Sequence, residues 1–582
     1  MVKYPSIKDN NFYERINKIY SNFTIPKKKK TFKQICFPKE YKLQLPQQFV
    51  SKYINPNTPY NGVLIYHRIG AGKTCTAIRV GENWKNYRKI IVVLPASLKG
   101  NFKSELRSLC AENNYLKKHE RKALEKLKPS EQRYKEIISK SDQRIDRVYK
   151  IYSYNKFIEY AQNDEINLKN SVLIIDEIQN MISEDGTYYN VLYDLLSNSP
   201  KNLRIVLLSA TPMFDKPIEI ALTMNLLKIP IELPTGKDFE KKFIQIKRKK
   251  DNCYYDVKNM NEFKKYVKGY ISYFRGAPPY VFPKMIVRYV KCEMSYFQYK
   301  AYKDVLKTEV KTFKKKKKKI EESLTVKNLP NNFFIGTRII SNVVFPNRKI
   351  NELGFKSFRG KNITNQLEKY STKFYSIMNR IKRTGGKIFI YSGFKEYGGI
   401  KSFVRVLDEF GYKNYSKHGE GRKRYAIWSG DENNEVKDEI REIYNNINNL
   451  RGNKIKILLG SPSIKEGVSL TAVRQVHILE PYWNQARLDQ VIGRASRYCS
   501  HKHLPEEKQI VKVYIYIAVF PYEVTEKENS DKTVDEYIRH LSDQKNKLVR
   551  KFERALKESA VDCTLNKNAN VHKGEINILC EK

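Results

Sequence analysis

Residues 62–74 read "GVLIYHRIGAGKT", an apolar run followed by a glycine-bearing turn and a Lys-Thr pair. The apolar run predicts a buried strand, and the turn that follows opens a helix. Such a turn directs backbone N–H groups and a helix N-terminus at a polyphosphate, with Gly70 and Gly72 at the closest approach. Lys73 would reach the terminal phosphates, and the Thr74 hydroxyl would ligate magnesium. The stretch therefore predicts a strand, a phosphate loop and a nucleoside triphosphate site.

One residue departs from the usual pattern of such loops, because His67 stands where a small residue is normal. That position begins the turn and does not wrap the phosphates, so the histidine is compatible with binding. Ala71, between the two glycines, belongs to the predicted nucleotide site. We expect the loop to be functional.

An acidic pair follows a second apolar run, "VLIIDEIQ", at residues 172–179. The two acids can have different roles, because Asp176 can orient magnesium while Glu177 accepts a proton from the attacking water. The next strand ends in Ser209, Ala210 and Thr211, and the hydroxyl groups of Ser209 and Thr211 can sense the terminal phosphate. The alternative for this last group is a structural turn before a proline.

A basic motif, "QVIGRASR", lies far along the chain at residues 490–497. Helical spacing places Gln490, Gly493, Arg494 and Arg497 along one helix face. Two guanidinium groups directed into a cleft would neutralise charge on a transferred phosphoryl group, an effect of roughly 10³ to 10⁵ in rate. We predict Gln490, Arg494 and Arg497 to be catalytic, together with Lys73 and the acidic pair.

Short apolar strands alternate with amphipathic helical stretches in two separate blocks, which is typical of parallel α/β sheets. In sequence order, the first block contains "GVLIYH", "KIIVVLP", "RVYKIYSY", "SVLIIDE" and "RIVLLSAT". The second contains "GKIFIYSGF", "RYAIWSG", "KIKILLGS", "QVHILEP" and "VKVYIYIA". The fold class predicted is α/β, with two parallel-sheet domains in tandem, at 46–225 and 383–520.

Three further segments complete the predicted organisation. Residues 1–45 form a basic N-terminal extension, and residues 226–382 form a basic helical linker or insert. The run Lys314–Lys319 in that insert is expected to be a solvated loop, with direct phosphate contact as the alternative. Residues 521–582 form a helical C-terminal extension, whose apolar stripe is expected to pack against the second block.

The charge balance indicates a polyanionic partner. Lysine and arginine number 110 against 62 acidic residues, a net charge of +48. AT-rich coding explains much of the lysine, but it does not explain the shortage of acidic residues, so a nucleic acid is favoured. The apolar runs are too short to cross a bilayer, and the N-terminus lacks a secretory signal.

The eight cysteines include no C-x-x-C pair. This spacing argues against a disulfide framework or a zinc ribbon and favours a reducing compartment. The cluster Cys499, His501 and His503 has no second ligand pair nearby, so it does not predict a metal site.

The motifs "GAGKT", "DEIQ", "SAT", "SPSIKEGVSL" and "QVIGRASR" occur in an order and spacing that resemble superfamily 2 helicases and translocases, over residues 45 to 520. The resemblance implies two RecA-like domains, ATP with Mg²⁺ bound between them, and nucleic acid across both. By position, Gln48 or its neighbour Gln47 resembles the adenine-reading glutamine. Gly467 resembles the residue that couples nucleic-acid contact to the ATP cleft, and Glu466 is a weaker candidate.

The same resemblance assigns nucleic-acid contacts to the stretch "VLPASLKGNF", with Pro95, Ser97 and Leu98 near the phosphodiester backbone. One position departs from the family pattern. Gln179 fills the fourth place of the acidic motif, where DEAD-box and DEAH proteins carry Asp or His. This departure argues against a typical DEAD-box RNA helicase.

A narrower likeness is carried by "SATPMFDKPIEI", "YSGFKEYGGIKSF" and "EPYWNQARLDQVIGRASRYCSHKHLP". These stretches resemble the helicase-type ATPases of large cytoplasmic DNA viruses, a group that includes poxvirus early transcription factor small subunit and nucleoside triphosphatase I. The last stretch also resembles chromatin-remodelling translocases, which move along duplex DNA without separating strands. The resemblance implies a host-cytoplasmic protein of the viral factory and the virion, with viral RNA polymerase or a large transcription-factor subunit as partner.

Three functions follow as hypotheses. The favoured one is an ATP-driven translocase on double-stranded DNA that serves viral transcription, at initiation or termination. The second is a strand-separating helicase acting on DNA or RNA. The third is a non-catalytic DNA-binding subunit, which the intact set of hydrolytic residues argues against.

Overall fold

The computed structural model describes residues 2–27, 30–68, 70–127, 131–249, 252–317, 334–465, 468–524, 532–571 and 577–582. The chain divides into two compact units. The first comprises Met1–Pro278 and Lys547–Lys582, and the second comprises Pro279–Asn546. Each unit is built on its own parallel sheet, which confirms the predicted fold class.

The described residues of the first unit contain a six-stranded parallel sheet. Its strands are β1 (Gly62–His67), β2 (Lys89–Leu94), β3 (Tyr149–Ser153), β4 (Ser171–Ile175), β5 (Arg204–Ser209) and β8 (Ile271–Phe274). Between β5 and β8 in the sequence, β6 (Ile244–Lys249) and β7 (Asn252–Val257) form a separate antiparallel pair. The order is β3-β2-β4-β5-β1-β8. Strands β4, β5 and β1 are therefore neighbours, and their carboxyl ends meet at one edge of the sheet.

The apolar runs become strands because helices cover the sheet. Every residue of β1 and β4 is buried, as expected for parallel strands packed on both faces. The α-helices of this unit are Phe12–Ile19, Phe32–Cys36, Leu45–Tyr53, Lys73–Trp84, Lys99–Leu106, Lys118–Leu124, Gln132–Asp146, Tyr154–Gln162, Thr187–Ser197, Ile218–Asn225, Gly236–Phe243, Met260–Val267 and Lys567–Asn570. Short 3₁₀ turns lie at Ser21–Phe23, Ala96–Leu98, Leu109–Ala111 and Ile178–Asn180.

The described residues of the second unit contain a seven-stranded parallel sheet. Its strands are β9 (Lys284–Glu293), β10 (Lys387–Tyr391), β11 (Lys413–Asn414), β12 (Arg424–Trp428), β13 (Ile457–Gly460), β14 (Val473–Ile478) and β15 (Ile510–Val519). Their order is β11-β12-β13-β10-β14-β15-β9. All the strands predicted from the sequence in the two blocks are present.

The α-helices of the second unit are Tyr296–Lys317, Ile335–Asn342, Glu352–Ser357, Lys361–Thr364, Leu367–Tyr370, Thr372–Lys382, Ile400–Glu409, Tyr415–His418, Asn434–Asn445 and Gln485–Ala495. Its 3₁₀ turns lie at Pro279–Val281, Ile447–Asn449, Pro462–Lys465 and Glu506–Lys508. No helix within the described ranges combines the length and the apolar character needed to cross a membrane.

The predicted insert 226–382 is shared between the two units, because β8 joins the first sheet and β9 joins the second. The lysine run is also not the expected loop where it is described. Lys314 to Lys317 lie in the helix Tyr296–Lys317, and the last two lysines of the run fall outside the described residues.

The C-terminal extension forms the predicted long helix, Val534–Glu558. Its first half packs with the second unit through Val534 and Ile538. Its second half belongs to the core of the first unit, where the Phe552 ring lies 5.6 Å from that of Phe239. The expectation that the extension packs against the second block is therefore wrong for residues beyond 546.

The basic N-terminal extension also contributes to a core. Phe12 and Ile16 are fully buried in the first unit, and the Tyr13 hydroxyl donates to the Ser559 carbonyl at 2.9 Å. The first and last segments of the chain thus meet in one unit.

Among the described cysteines, Cys75 is bonded to Cys110 and Cys563 to Cys580, so the expectation of no disulfide framework is wrong for these cysteines. Their sequence separations are 35 and 17 residues, and they match no short motif. The fold, rather than the spacing, brings each pair together. Cys75, Cys110 and Glu105 also form a cluster of metal-ligand type, but the two sulfurs are bonded to each other.

Candidate functional site

The phosphate loop has the backbone conformation that its glycines predict. Gly70 and Gly72 have φ angles of 82° and 75°, in the left-handed region where a side chain is disfavoured. The helix Lys73–Trp84 begins directly after Gly72, so its unpaired N–H groups border the loop. The Ala71 N–H donates to the Arg68 carbonyl at 3.0 Å, which closes the turn.

A glutamine lies against this loop, and it is Gln47 rather than Gln48. The amide of Gln47 donates to the Gly72 carbonyl at 3.2 Å, and a side chain at Gly72 would collide with it. The amide of Gln48 instead donates to the Leu43 carbonyl at 3.0 Å. Gln47 is thus the member of the predicted pair that contacts the loop.

The acidic pair lies at the carboxyl end of β4. The Glu177 N–H donates to Asp176 Oδ1 at 2.9 Å, and Glu177 has a left-handed φ of 53°. Lys73 Nζ lies 3.5 Å from Glu177 Oε1. The strand order explains this proximity, because β4, β5 and β1 deliver the acids and the lysine to the same edge of the sheet.

Burial changes the proton affinity of the first acid. The pKa of Asp176 is raised to about 7, mainly by burial and also by the Glu177 carboxylate, while the Lys73 ammonium opposes both effects. A divalent cation would favour the ionised form of Asp176. The Asp176 carboxylate and the Thr74 hydroxyl offer the oxygen ligands that Mg²⁺ prefers, so these residues fit a magnesium ion.

Hydrogen bonds connect the acidic motif to the end of β5. Gln179 Nε2 donates to Glu177 Oε2 at 2.6 Å, and Gln179 Oε1 accepts from the Ser209 hydroxyl at 2.7 Å. Ser209 Oγ in turn accepts from the Thr211 N–H at 3.0 Å. The sequence indicated Gln179 only as a departure from a family pattern. It did not predict that Gln179 joins Glu177 to Ser209.

Tyr154 is a residue that the sequence did not single out. Its hydroxyl donates to the backbone carbonyl groups of Asp176 and Glu177, the latter at 2.9 Å. Tyr154 follows β3 directly, at the same edge of the sheet. The only available signal was the polar end of the strand "RVYKIYSY".

The predicted nucleic-acid segment follows β2. Pro95 is buried, Ser97 is exposed, and the Leu98 N–H donates to the Pro95 carbonyl at 2.9 Å in the 3₁₀ turn. Contact of this segment with nucleic acid stays a prediction. Ala210 lies between Ser209 and Thr211, at the end of β5.

The predicted arginines lie in the second unit. Gln490 and Arg494 are on the helix Gln485–Ala495, and Arg494 Nη1 lies 3.4 Å from the Val468 carbonyl. Arg497 does not share the helix face with them, because the helix ends at Ala495 and Ser496 has a non-helical conformation. The prediction of one continuous helix face is wrong for Arg497. Gly467 and Glu466 fall outside the described residues.

Two family descriptions match the chain: "SNF2-related domain" over residues 18–339 and "Helicase conserved C-terminal domain" over residues 372–499. The chain belongs to the SNF2-related family of superfamily 2. It is therefore a nucleic-acid-dependent ATPase of that superfamily. ATP use and nucleic-acid binding follow from the same membership.

Similar proteins come from large DNA viruses. The chain is 52% identical over 582 residues to "Putative ATP-dependent RNA helicase R563" of Acanthamoeba polyphaga mimivirus, covering 100% of this chain and 99% of that protein. It is 27% identical over 568 residues to a "Termination factor NPH-I homolog" of African swine fever virus, covering 87% and 76%. Among solved structures, the Pyrococcus furiosus Hef helicase domain aligns with a TM-score of 0.40 and 14% identity, covering 81% of this chain and 94% of that one.

Proposed function

We propose that this SNF2-related ATPase moves along duplex DNA during viral transcription. The observation that carries the proposal is the match to the SNF2-related domain over residues 18–339. The chromatin-remodelling translocases that the sequence also resembles move along duplex DNA without separating strands. The net charge of +48 supports a polyanionic track. The viral factory in the host cytoplasm and the virion are the locations proposed.

The first unit supplies the groups that hydrolysis needs. Lys73 would hold the terminal phosphates, and Thr74 with Asp176 would hold magnesium, which neutralises phosphate charge when bound. Glu177 lies beside Lys73 and would orient a water molecule and accept its proton. Gln47 stabilises the loop by a hydrogen bond to the Gly72 carbonyl.

We assign the coupling of hydrolysis to movement to the hydrogen-bonded series Glu177, Gln179, Ser209 and Thr211. A change at the terminal phosphate would pass from Glu177 through Gln179 to the end of β5. Arg494 and Arg497 would stabilise charge on the transferred phosphoryl group.

The role in transcription is supported by the African swine fever virus relative, which is named a termination factor. We propose that the partner is the viral RNA polymerase or a large transcription-factor subunit. Co-purification from infected cells would test this, and recovery of neither partner under conditions that retain DNA binding would contradict it.

Displacement of a third strand tests translocation directly. A duplex carrying a bound triplex-forming strand is mixed with protein and ATP, and we expect the third strand to be released while the duplex stays paired. Lys73→Ala is the matched control and should release nothing. Retention of the third strand by the active parent protein would contradict the proposal.

A second candidate function is RNA strand separation, because the 52% identical relative is named an RNA helicase. It predicts ATP-dependent unwinding of a tailed RNA duplex by the parent protein. A translocase on duplex DNA should leave that substrate paired. The two assays, run on one preparation, separate the two functions.

A further inference from the structure

The histidine that replaces a small residue at the start of the phosphate loop is fully buried. His67 ends β1, and its Nε2 lies 2.9 Å from the Ser272 hydroxyl. Burial and the Lys73 charge lower the pKa of His67 to about 3, so the ring is neutral. Among the described residues, Nδ1 has no hydrogen-bond partner. Ser272 is thus the polar contact that orients the ring.

Ser272 connects His67 to Asp562, a residue near the C-terminal end of the given sequence. It lies on β8, next to β1, and its hydroxyl donates to Asp562 Oδ2 at 2.6 Å. Since the hydroxyl proton is directed at Asp562, Ser272 Oγ accepts from the Nε2–H of His67. Asp562 Oδ1 also accepts the Tyr273 N–H at 2.9 Å, which fixes the carboxylate.

The segment that carries Asp562 is tied to β8 along its length. The Val561 N–H donates to the Ile271 carbonyl at 2.8 Å. Asn566 and Asn570 both donate to the Tyr273 carbonyl, at 3.1 and 3.2 Å, and Asn570 Oδ1 accepts the Arg275 N–H at 2.8 Å. The position of residues 561–570 is therefore set by β8 and the turn after it.

β8 and the following turn also contact the phosphate loop itself. The Arg68 N–H donates to the Phe274 carbonyl at 3.1 Å. Gly276 has a φ of 94°, and a Cβ built there would lie 3.1 Å from the Ala71 Cβ. The loop is therefore supported by β8 at its first residue and by the turn at its apex.

We propose that His67, Ser272 and Asp562 form a positioning chain through which the C-terminal segment 561–570 fixes the phosphate loop for nucleotide binding. The inference rests on the proposed ATP site and adds three positioning residues to it. None of the three touches the phosphates in this proposal. Interrupting the chain should weaken ATP binding more than it slows hydrolysis of bound ATP, because the hydrolytic residues stay in place.

Ser272→Ala interrupts the chain with little loss of volume. We expect KM for ATP and the Kd of a fluorescent ATP analogue to rise about fivefold, while kcat changes less than about twofold, because the loop loses the hydrogen bond that joins His67 to Ser272. Asp562→Asn combined with Ser272→Ala should cost less than the sum of the two single changes, because they interrupt the same chain. Asn568→Ala is the control, since this exposed residue of the same segment donates to the Ile25 carbonyl instead.

Amide hydrogen exchange gives a readout that needs no turnover. Ser272→Ala should speed exchange in a peptide covering residues 70–78 and leave β4 unchanged. Unchanged exchange and unchanged KM would overturn the inference, as would an equal effect of Asn568→Ala. If the parent protein hydrolysed no ATP but Ser272→Ala still loosened the loop, the proposed function would fail and the positioning chain would stand.

Discussion

The Ser209 hydroxyl donates a hydrogen bond of 2.7 Å to Oε1 of Gln179. Both side chains are buried, and the amide nitrogen of Gln179 donates to Glu177 Oε2. A planar amide accepts on one side and donates on the other, so Gln179 joins a hydroxyl to a carboxylate. In this chain, the residue that distinguishes the acidic motif from the DEAD-box pattern is the physical link between two predicted motifs.

Replacing Gln179 with methionine keeps the length of the side chain and removes both hydrogen bonds. We expect basal ATP hydrolysis to fall modestly, and we expect stimulation by DNA to fall about fivefold or more, because the link to the end of β5 is lost. Gln162→Met, which changes an exposed glutamine outside this link, is the matched control. The ratio of ATPase rates with and without DNA is the measurement, and an unchanged ratio would contradict the assigned coupling.

The two neighbouring glutamines give a second comparison. Gln47→Ala should raise KM for ATP and for GTP to the same degree, about fivefold, since its contact with the Gly72 carbonyl does not depend on the base. If Gln48 reads adenine, Gln48→Ala should instead reduce the preference for ATP over GTP. Steady-state kinetics with both nucleotides distinguish the roles, and equal KM values in parent and Gln47→Ala would exclude the loop contact from binding.

Lys73→Ala and Arg497→Ala should separate binding from catalysis. Loss of the Lys73 ammonium should abolish turnover and weaken nucleotide binding. Arg497→Ala should slow turnover by roughly 10³ and leave ATP binding largely intact, because the arginine acts on charge that develops during transfer. Equilibrium binding of a fluorescent ATP analogue, measured beside kcat, checks both. An equal loss of binding in the two proteins would contradict the division of roles.

The buried histidine predicts a defined pH dependence of stability. The pKa of His67 falls from 6.5 to about 3 on folding, so the unfolded chain binds the extra proton between these values. The stabilisation from neutral His67 is complete above pH 6.5 and is lost as pH falls, by about 1.4 kcal/mol per pH unit. Relative to His67→Asn, the parent should therefore lose about 2 kcal/mol between pH 6.5 and 5.

Urea titrations at several pH values measure this difference in the free energy of unfolding. Burial raises the pKa of Asp562 to about 7, so its contribution has the opposite sign, but it is present in both proteins and largely cancels. His119→Asn, at an exposed position, is the control for the exchange of histidine for asparagine. A constant difference between parent and His67→Asn across this range would show that His67 is not buried as described.

The strands and the phosphate loop could be predicted because their signals are local. Apolar runs, paired glycines and a Lys-Thr pair are contiguous in the sequence, and parallel-strand order then brings Lys73 and Glu177 together. The local sequence does not determine which side of a helix faces the site. Gln47 and Gln48 differ by about 100° around the helix Leu45–Tyr53, and only packing of that helix selects Gln47.

Contacts between segments that are distant in the sequence could not be predicted either. Ser272 and Asp562 are 290 residues apart, and no periodicity in either segment indicates that they pair. The end of the helix before Arg497 was missed for a different reason. The stretch "RASRYC" contains no proline or glycine, so the sequence carried no stop signal at Ala495.

ATP hydrolysis by the purified protein, with and without duplex DNA, tests the central claim most directly. We expect duplex DNA to stimulate hydrolysis at least about tenfold, with a stimulation that declines steeply as salt rises because a basic track releases counterions on binding. RNA of equal length should stimulate less, and Lys73→Ala should show no activity under any condition. Hydrolysis that does not rise with duplex DNA, or that rises only with RNA, would contradict the proposed translocase.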